Sequence, residues 1–326
     1  MNGGGRVPRV PFVLLAHVEQ NGVVGQLGRS DVVAHAPSLR HTLTHVFVLS
    51  IQSSVAYGHA GNSSAVFPLQ RLGHEVWPVH TVHFSNHTGY GDWRGIVFEP
   101  ATVADVITGI QERGVLPTCD AVLSGYQGDP AVGEVVLDAV ARVKAANPAA
   151  IYCADPVMGD VGRGFYVRPG IPEFMRDRIV PAADILTPNQ FELEYLTSRS
   201  VRSLADLLRA VESLRRQGPS TVLVTSVQTD QTPQGCVQMV TVGPDGGYCV
   251  TTPKIPMDVV GCGDMTTAIF LARLMTESIE KALAHTADSI FAVIEATERS
   301  GSQELQLIAS QDAIATPSGR FEAVAL

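Results

Sequence analysis

Apolar and polar residues follow two different periodicities from residue 46 to the end of the chain. Runs rich in β-branched and other apolar residues, typical of strands in a buried sheet, occur at 46–51, 76–84, 121–124, 150–154, 185–187 and 221–225. Between these runs lie stretches with apolar residues at helical spacing, of which 131–146 is the clearest. Strands that alternate with helices predict an α/β fold of three layers, with a largely parallel central sheet and helices on both faces.

The first part of the chain shows neither periodicity. We therefore expect residues 1–45 to be a poorly ordered N-terminal extension and residues 46–326 to form the folded domain. In a parallel sheet ligands bind beyond the carboxyl ends of the strands. The residues that follow each predicted strand are therefore the first candidates for a functional site.

Composition narrows the class of protein. The 326 residues hold 23 Lys and Arg against 32 Asp and Glu, a net charge of −9, which argues against nucleic acid or an anionic membrane as the main partner. No uncharged apolar run reaches the ~18 residues that a membrane-spanning helix needs. The 5 cysteines include no pair with CxxC spacing, so we expect a reduced protein of the cytoplasm without a structural zinc site.

Two glycines and an acidic residue lie where a helix is predicted to begin. The segment Gly261-Cys262-Gly263-Asp264 lets the backbone approach a ligand closely, and free N–H groups at a helix start attract an anion. A carboxylate at Asp264 can accept a proton from an alcohol while the neighbouring amides hold a phosphoryl group. The structural alternative is that Asp264 caps the helix and the glycines only form the turn.

Carboxylate and amide side chains follow two further predicted strands. Asn189 and Glu192 are three positions apart at another helix start, so both point the same way and could reach one hydrated Mg²⁺. The same spacing is also typical of a capping box. Asp155, after the strand at 150–154, is either a turn former or a group that helps to place the metal or the phosphates.

Polar loops follow the first two predicted strands. Ser53 lies near the end of the first strand and can contact a ligand ring, and the loop 85–91 supplies hydrogen-bonding groups. An ordinary solvated turn is the alternative for each loop. The chain contains no P-loop, no G-x-S-x-G elbow and no HExxH motif, so these three routes to catalysis receive no support.

Seven segments in the same order resemble those of the ribokinase-like kinases, and among them the pyridoxal kinases. The segments are Ser50–Ser53 with Gly58–Asn62, Val76–Pro78, Phe84–Thr88, Leu123–Tyr126, Asp155–Gly159, Thr187–Asn189 with Glu192, and Gly261–Asp264. The Ser-Asn-His-Thr and Leu-Ser-Gly-Tyr segments distinguish pyridoxal kinases from sugar kinases. The resemblance extends over about 46–326 and implies a ribokinase-like kinase domain there.

The resemblance also implies an activity and its residues. The activity is transfer of the γ-phosphoryl group of ATP to the 5′-hydroxyl of pyridoxal, which gives pyridoxal 5′-phosphate and ADP in vitamin B6 salvage. Asp264 is implied as the base, with the main-chain N–H groups of Gly261, Cys262 and Gly263 as the anion hole. The implied substrate-binding residues are Ser53, His87, Thr88, Gly89, Tyr126 and Asp264. The implied ATP-binding residues are Asp155, Thr187, Asn189, Glu192, Thr225, Pro253, Lys254, Ile255 and Pro256. Asp155 and Glu192 are the implied Mg²⁺ ligands, and a monovalent cation and a homodimer are further implications.

Two residues depart from the pattern of the family. Cys262 replaces the usual Thr or Val, which we expect to preserve activity because only its N–H group is used. Thr225 replaces a Lys of close bacterial relatives, so one positive charge near the phosphates is missing and weaker ATP affinity is expected. Two alternative functions stay open: a kinase of another hydroxymethyl heterocycle such as hydroxymethylpyrimidine, and a non-catalytic vitamin B6-binding protein.

Overall fold

Ten strands form one sheet within residues 45–326, the part of the chain that the computed structural model describes. The strands of the described residues are β1 (Phe47–Val55), β2 (Glu75–Phe84), β3 (Gly95–Val97), β4 (Ala121–Ser124), β5 (Ile151–Ala154), β6 (Gly159–Asp160), β7 (Gly164–Phe165), β8 (Ile185–Leu186), β9 (Thr221–Val227), β10 (Cys236–Gly243), β11 (Gly246–Pro253) and β12 (Val324–Ala325). The predicted extension over 1–45 lies, apart from His45, outside the described residues and stays a prediction.

The sheet has the order β12-β11-β10-β9-β8-β5-β4-β1-β2-β3. The six strands from β9 to β2 pair in parallel, and antiparallel strands are added at both edges. Strands β6 and β7 form a separate small hairpin. The largely parallel sheet that the sequence predicts is therefore confirmed, with an antiparallel extension on each side.

Helices cover both faces of this sheet. They are α1 (Asn62–Arg71), α2 (Pro100–Glu112), α3 (Pro130–Ala146), α4 (Ile171–Phe174), α5 (Val180–Ala182), α6 (Gln190–Thr197), α7 (Leu204–Arg215), α8 (Cys262–Leu274), α9 (Ile279–Ser300) and α10 (Gln311–Ala315). A π-helical turn over Met175–Ile179 joins α4 to α5, and 3₁₀ turns lie at Thr88–Tyr90 and Leu116–Thr118.

Two apolar cores hold the layers together. Successive side chains of a strand point to opposite faces, so Leu49 packs in the core beneath α2, α3, α6 and α7, whereas Val48 packs in the core beneath α1, α8 and α9. Tyr152 and Cys153 of β5 divide between the two cores in the same way. Helices on both faces of the sheet, as predicted, give the three-layer fold.

Irregularities in two strands direct polar side chains toward one edge of the sheet. The register between β1 and β2 shifts between Gln52 and Ser54, which places a bulge at Ser53. A second shift lies where β10 pairs with β9, beside Thr225 and Ser226, and Ser226 has a φ of 54°. Bulges re-aim side chains and are frequent next to functional sites. Both bulges lie toward the carboxyl ends of the parallel strands.

Candidate active site

A cleft of about 1190 Å³ opens at the carboxyl ends of the parallel strands. The predicted site residues that line it are Ser53, His87, Thr88, Gly89, Tyr126, Asp155, Thr187, Asn189, Glu192, Thr225, Pro253, Lys254, Ile255, Gly261, Cys262, Gly263 and Asp264. All predicted site residues belong to the described part of the chain, and among them only Pro256 does not line the cleft. This proline is exposed. One cavity therefore collects side chains that are separated by more than two hundred positions in the sequence.

The start of α8 forms one wall of this cleft. Its N-cap is Gly261, which has a φ of 84°, and no side chain caps the helix. The first intrahelical hydrogen bond runs from the N–H of Met265 to the carbonyl oxygen of Gly261 at 3.0 Å, so the preceding N–H groups have no acceptor within the helix. Asp264 is therefore not the N-cap of α8. The free N–H groups at this end favour an anion.

Asp264 lies in the first turn of α8 and connects that helix to α1. Its Oδ2 accepts the N–H of Gly61 at 2.8 Å. Burial raises the pKa of Asp264 to about 6, even though this hydrogen bond acts in the opposite direction. The carboxylate is thus ionised at neutral pH and is basic enough to accept a proton from a hydroxyl group.

Two glycines allow the starts of α1 and α8 to touch the neighbouring backbone. A Cβ atom on Gly61, whose φ is 55°, would lie 2.2 Å from the carbonyl oxygen of Ser53. A Cβ atom on Gly261 would lie 2.0 Å from the carbonyl oxygen of His59. The hydroxyl of Ser64 donates to the carbonyl oxygen of Gly261 at 2.8 Å. Glycine is therefore required at both positions for the starts of α1 and α8 to pack together around Asp264.

Three carboxylates lie close together at the bottom of the cleft. Burial, followed by repulsion from Glu192 and Asp264, raises the pKa of Asp155 well above its ordinary value. Burial likewise raises the pKa of Glu192 to about 8, against the hydrogen bonds that it accepts from backbone N–H groups. A Cβ atom on Gly263 would lie 3.7 Å from Oδ2 of Asp155, so this carboxylate borders the start of α8. Uncompensated negative charge at this point favours a bound cation.

The Asn189–Glu192 pair forms the capping box that was the structural alternative. The N–H of Glu192 donates to Oδ1 of Asn189 at 2.9 Å, and the N–H of Asn189 donates to Oε2 of Glu192 at 2.9 Å. Oε1 of Glu192 accepts the N–H of Met158 at 3.0 Å, and the amide of Asn189 donates to the carbonyl oxygen of Gly159 at 2.8 Å. These contacts fix the Glu192 carboxylate between two loops.

The donor set near Asp155 suits a hydrated magnesium ion. Among residues 45–326, no group of three or more His, Cys, Asp or Glu side chains is arranged as a complete metal site. Mg²⁺ commonly takes only one or two carboxylates from a protein and completes its shell with water and substrate phosphates. The buried carboxylates of Asp155 and Glu192 fit that mode of binding because both have raised pKa values, Glu192 repels Asp155, and Asp155 borders Gly263.

The substrate end of the cleft has an apolar wall and a polar loop. Val55, Val82 and Phe84 form a buried cluster against which Tyr126 packs. In the loop, Nδ1 of His87 accepts the N–H of Gly89 at 2.9 Å, so the proton of the neutral ring resides on Nε2. Burial lowers the pKa of His87, which favours this neutral form. A flat heterocycle with polar substituents matches such a mixture of apolar and hydrogen-bonding surfaces.

Residues that we did not predict line the end of the cleft opposite the loop that contains His87. Ile290, Phe291 and Ile294 of α9 contribute an apolar wall. Gln228 also lines the cleft, and its Oε1 accepts a hydrogen bond from Nζ of the predicted residue Lys254 at 2.8 Å. The apolar residues of α9 recur at helical spacing, a pattern that is identical for core and cleft. No signal in the sequence separates the two roles.

An ion pair that we also did not predict spans the mouth of the cleft. Arg163 lies between β6 and β7, and its guanidinium pairs with the carboxylate of Asp258, which follows β11. Both residues line the cleft. The pair therefore connects the small hairpin to the segment that contains Lys254. Its two members are separated by 95 positions, so spacing in the sequence gives no indication of it.

Comparisons with known proteins agree with this geometry. A family model described as phosphomethylpyrimidine kinase matches residues 100–307. The protein named pyridoxal kinase PdxY of Rubrobacter xylanophilus is 58% identical over 276 residues, which cover 84% of this chain and 95% of that protein. The protein of the same name from Leifsonia xyli is 54% identical, with 84% and 97% covered. The solved structure of pyridoxal kinase from Leishmania donovani in complex with ADP and pyridoxamine has a TM-score of 0.80 at 30% identity and covers 86% of this chain and 99% of that one.

Fold, cleft and relatives together define a class of small-molecule phosphotransferase, the ribokinase-like kinases. Within that class the chain belongs to the pyridoxal kinase family. The resemblance that the motifs carry is thereby confirmed, as is the enzyme class. No helix of residues 45–326 has the length and apolar character required to cross a membrane.

Proposed function

We propose that this protein transfers the γ-phosphoryl group of ATP to the 5′-hydroxyl of pyridoxal and so forms pyridoxal 5′-phosphate and ADP. The observation that carries the proposal is a single cleft lined both by the helix start Gly261–Asp264 and by His87, Thr88 and Tyr126. A phosphate-binding helix start beside a carboxylate supports phosphoryl transfer, and the apolar wall with its polar loop supports a heterocyclic alcohol as acceptor. Relatives that are named pyridoxal kinase add further support.

In the proposed reaction Asp264 accepts the proton of the hydroxyl while the hydroxyl oxygen forms a bond to the γ-phosphorus. The bond between that phosphorus and the bridging oxygen of ADP breaks, and ADP leaves. The N–H groups of Gly261, Cys262 and Gly263 donate to the migrating phosphoryl oxygens. Burial raises the pKa of the Cys262 thiol to about 12, so its side chain stays neutral and only its N–H group takes part.

We propose Asp155 and Glu192 as the ligands of a Mg²⁺ ion, which supplies neutralisation of the phosphate charge when bound. Thr187, Asn189, Thr225, Pro253, Lys254 and Ile255 are the proposed ATP-binding residues, with Ser53, His87, Thr88, Gly89 and Tyr126 on the pyridoxal side. Support for these roles comes from their common cleft and from the resemblance to the family. A monovalent cation and Pro256 as an ATP-binding residue rest on the resemblance alone.

A second candidate substrate is hydroxymethylpyrimidine. The family model that matches residues 100–307 is described as phosphomethylpyrimidine kinase, and this observation favours the alternative. Both acceptors are flat heterocycles with a hydroxymethyl group, so the same base and anion hole would serve either. Ser53, Thr88 and Tyr126 favour pyridoxal, because the resemblance to pyridoxal kinases implies that these residues surround its ring.

A coupled assay for ADP tests the proposal. Purified protein is incubated with ATP and with pyridoxal, pyridoxamine, pyridoxine or hydroxymethylpyrimidine, with and without Mg²⁺. We expect the highest kcat/KM for pyridoxal and turnover that requires Mg²⁺. Preference for hydroxymethylpyrimidine would replace the proposed substrate, and pyridoxal binding without ADP formation would favour the non-catalytic alternative.

The cellular setting and the assembly are proposals as well. We propose that the enzyme works in the cytoplasm, because the described chain contains five free cysteines and ATP is its co-substrate. We propose a homodimer on the resemblance to the family alone. Sedimentation equilibrium of the purified protein would test this, and a mass of one chain would contradict it.

A further inference from the structure

Glu304 lies outside the cleft, yet its carboxylate contacts two loops that carry cleft residues. Oε2 of Glu304 accepts the N–H of His59 at 3.0 Å, in the loop that connects Ser53 to Gly61. Oε1 accepts the hydroxyl of Tyr90 at 2.6 Å, in the 3₁₀ turn that follows His87. The two carboxylate oxygens thus join segments that lie more than two hundred positions away in the sequence.

The segment that carries Glu304 is anchored on both sides. The next residue, Leu305, and Leu307 are each 1% exposed and belong to the core cluster beneath α8 and α9. On the other side, the N–H of Glu304 donates to Oγ of Ser302 at 2.9 Å, and that hydroxyl donates to the carbonyl oxygen of Glu304 at 3.0 Å. The carboxylate is therefore held by a rigid support, as a group that orients other residues must be.

The carboxylate also fills a space that only glycine leaves open. Gly58 has a φ of 85°, and a Cβ atom on it would lie 2.2 Å from Oε2 of Glu304. The rings of Tyr57 and Tyr90 pack edge to face, with centroids 6.2 Å apart. The two loops therefore touch each other directly where Glu304 joins them, and a shift of the carboxylate would move both.

We propose that Glu304 is a positioning residue that fixes the 87–90 turn and the 57–61 loop at the substrate end of the cleft. The proposal rests on the proposed function, since those loops carry His87, Thr88 and Gly61. Glu304 itself does not line the cleft, so it acts through Tyr90 and His59. Loss of one hydrogen bond to a charged group should loosen the pyridoxal side and leave the ATP side intact.

The experiment compares Glu304→Gln and Tyr90→Phe with the control Glu298→Gln, which makes the same chemical change at an exposed position of α9. The side chain of glutamine has a single oxygen that can accept one of the two hydrogen bonds. Its NH₂ group, which replaces the other carboxylate oxygen, is a donor and cannot accept the second bond. We expect each of the first two variants to raise the KM for pyridoxal by about 10- to 150-fold, in line with one lost charge-assisted hydrogen bond. The KM for ATP should stay within about twofold of wild type. The kcat should fall by a smaller factor than the KM for pyridoxal rises, because the 57–61 loop also holds Asp264 through the N–H of Gly61, and the control should match wild type.

The double variant shows whether the two groups act together. If Glu304 works through Tyr90, the effects are not additive: Glu304→Ala, which removes both acceptor oxygens, is no worse when Tyr90→Phe is added to it. Gly58→Ala offers an independent perturbation, because its methyl group would displace the carboxylate, and it should raise the same KM. This variant also tests the proposal if Glu304→Gln fails to fold.

Three results would overturn the proposal: an unchanged KM for pyridoxal in Glu304→Gln, an equal rise in both KM values that parallels a fall in melting temperature, or additive effects in the double variant. Failure of the proposed function would look different. Wild-type protein would then not phosphorylate pyridoxal at all. The variants would be compared on whichever hydroxymethyl heterocycle the wild type does phosphorylate, or by the Kd for pyridoxal if it phosphorylates none.

Discussion

Replacement of Asp264 by asparagine isolates the chemical role of this carboxylate from its structural one. The Oδ2 of Asp264 accepts the N–H of Gly61 at 2.8 Å, and an asparagine oxygen can accept the same bond. The variant therefore keeps the contact between α1 and α8. What it loses is the ability to accept a proton, so we expect a folded protein that binds ATP and turns over very slowly.

The size of the loss follows from the position and pKa of the group. With a pKa of about 6, Asp264 is almost fully ionised at pH 7.5, so the wild-type enzyme uses nearly all of its base. Loss of a positioned general base typically costs ~10²–10⁴-fold in rate. At 1.36 kcal/mol for each factor of ten, the activation free energy should rise by about 2.7–5.4 kcal/mol. ATP should bind at least as tightly as before, because one negative charge beside the triphosphate is removed.

Two measurements separate this expectation from a structural defect. Steady-state ADP release with saturating pyridoxal and ATP gives kcat, and titration calorimetry gives the Kd for ATP. Asp230→Asn, at an exposed position outside the cleft, serves as the control for the loss of one charge and should match wild type. Turnover of Asp264→Asn within threefold of wild type would refute the assignment of the base. Weaker ATP binding together with slow turnover would instead indicate that the helix start had been distorted.

Three further predictions concern pH, a close contact and the metal. If Asp264 is the base it must be ionised, so with its pKa of about 6 the value of kcat/KM should fall about tenfold per pH unit below pH 6. A profile that stays flat down to pH 5 would contradict this. In denaturant unfolding, Gly61→Ala should lower the free energy of unfolding much more than the control Gly73→Ala. The Cβ atom added to Gly61 would lie 2.2 Å from a Ser53 oxygen. The Cβ atom added to Gly73 would meet nothing within 4 Å, so with a φ of 88° that variant costs only ~1–2 kcal/mol of backbone strain. The pKa of Asp155 is raised, so its charge opposes folding at every pH above the ordinary pKa of an aspartate. Without metal, Asp155→Asn should therefore raise the melting temperature, by about 2–4 °C for each kcal/mol recovered, and it should abolish the stabilisation by Mg²⁺ with ADP. A lower melting temperature of the metal-free variant would argue against the repulsion.

The sequence predicts the fold well where an element is long and regular. The stripe over 131–146 corresponds to α3, which begins one residue earlier, and the strand at 121–124 corresponds to β4. Strand β1 extends four residues beyond the predicted end, because Gln52, Ser53 and Ser54 are buried although polar. Hydrogen bonds such as that between the hydroxyls of Ser54 and Ser63 of α1, at 3.1 Å, make this burial tolerable. Such partners come from other elements, so local polarity cannot predict them.

Short strands and contacts between distant residues are difficult to predict from the sequence, because they leave no local pattern in it. Strands β3, β6, β7 and β12 have two or three residues each, too few for a period of two to be recognised. Strand β8 is equally short and was predicted from its apolar residues alone, which are both buried. The helix start at Gly261–Asp264 was predictable because a single short segment supplies the glycines, the amides and the acid. Glu304 has no such local pattern, and its partner Tyr90 lies 214 positions away.

The Asn189–Glu192 pair explains why a capping motif and a metal site need not be alternatives. The carboxylate of Glu192 accepts the backbone N–H groups of Met158, Gly159 and Asn189, but a carboxylate offers about four acceptor directions, so capacity for a cation remains. The capping contacts fix the carboxylate in a buried position where, without a cation, its pKa is raised to about 8. A cation would stabilise the ionised form there far more than at an exposed position, because burial removes competing water. Helix capping thus supplies the rigidity, and burial supplies the electrostatic driving force, that a two-carboxylate magnesium site requires.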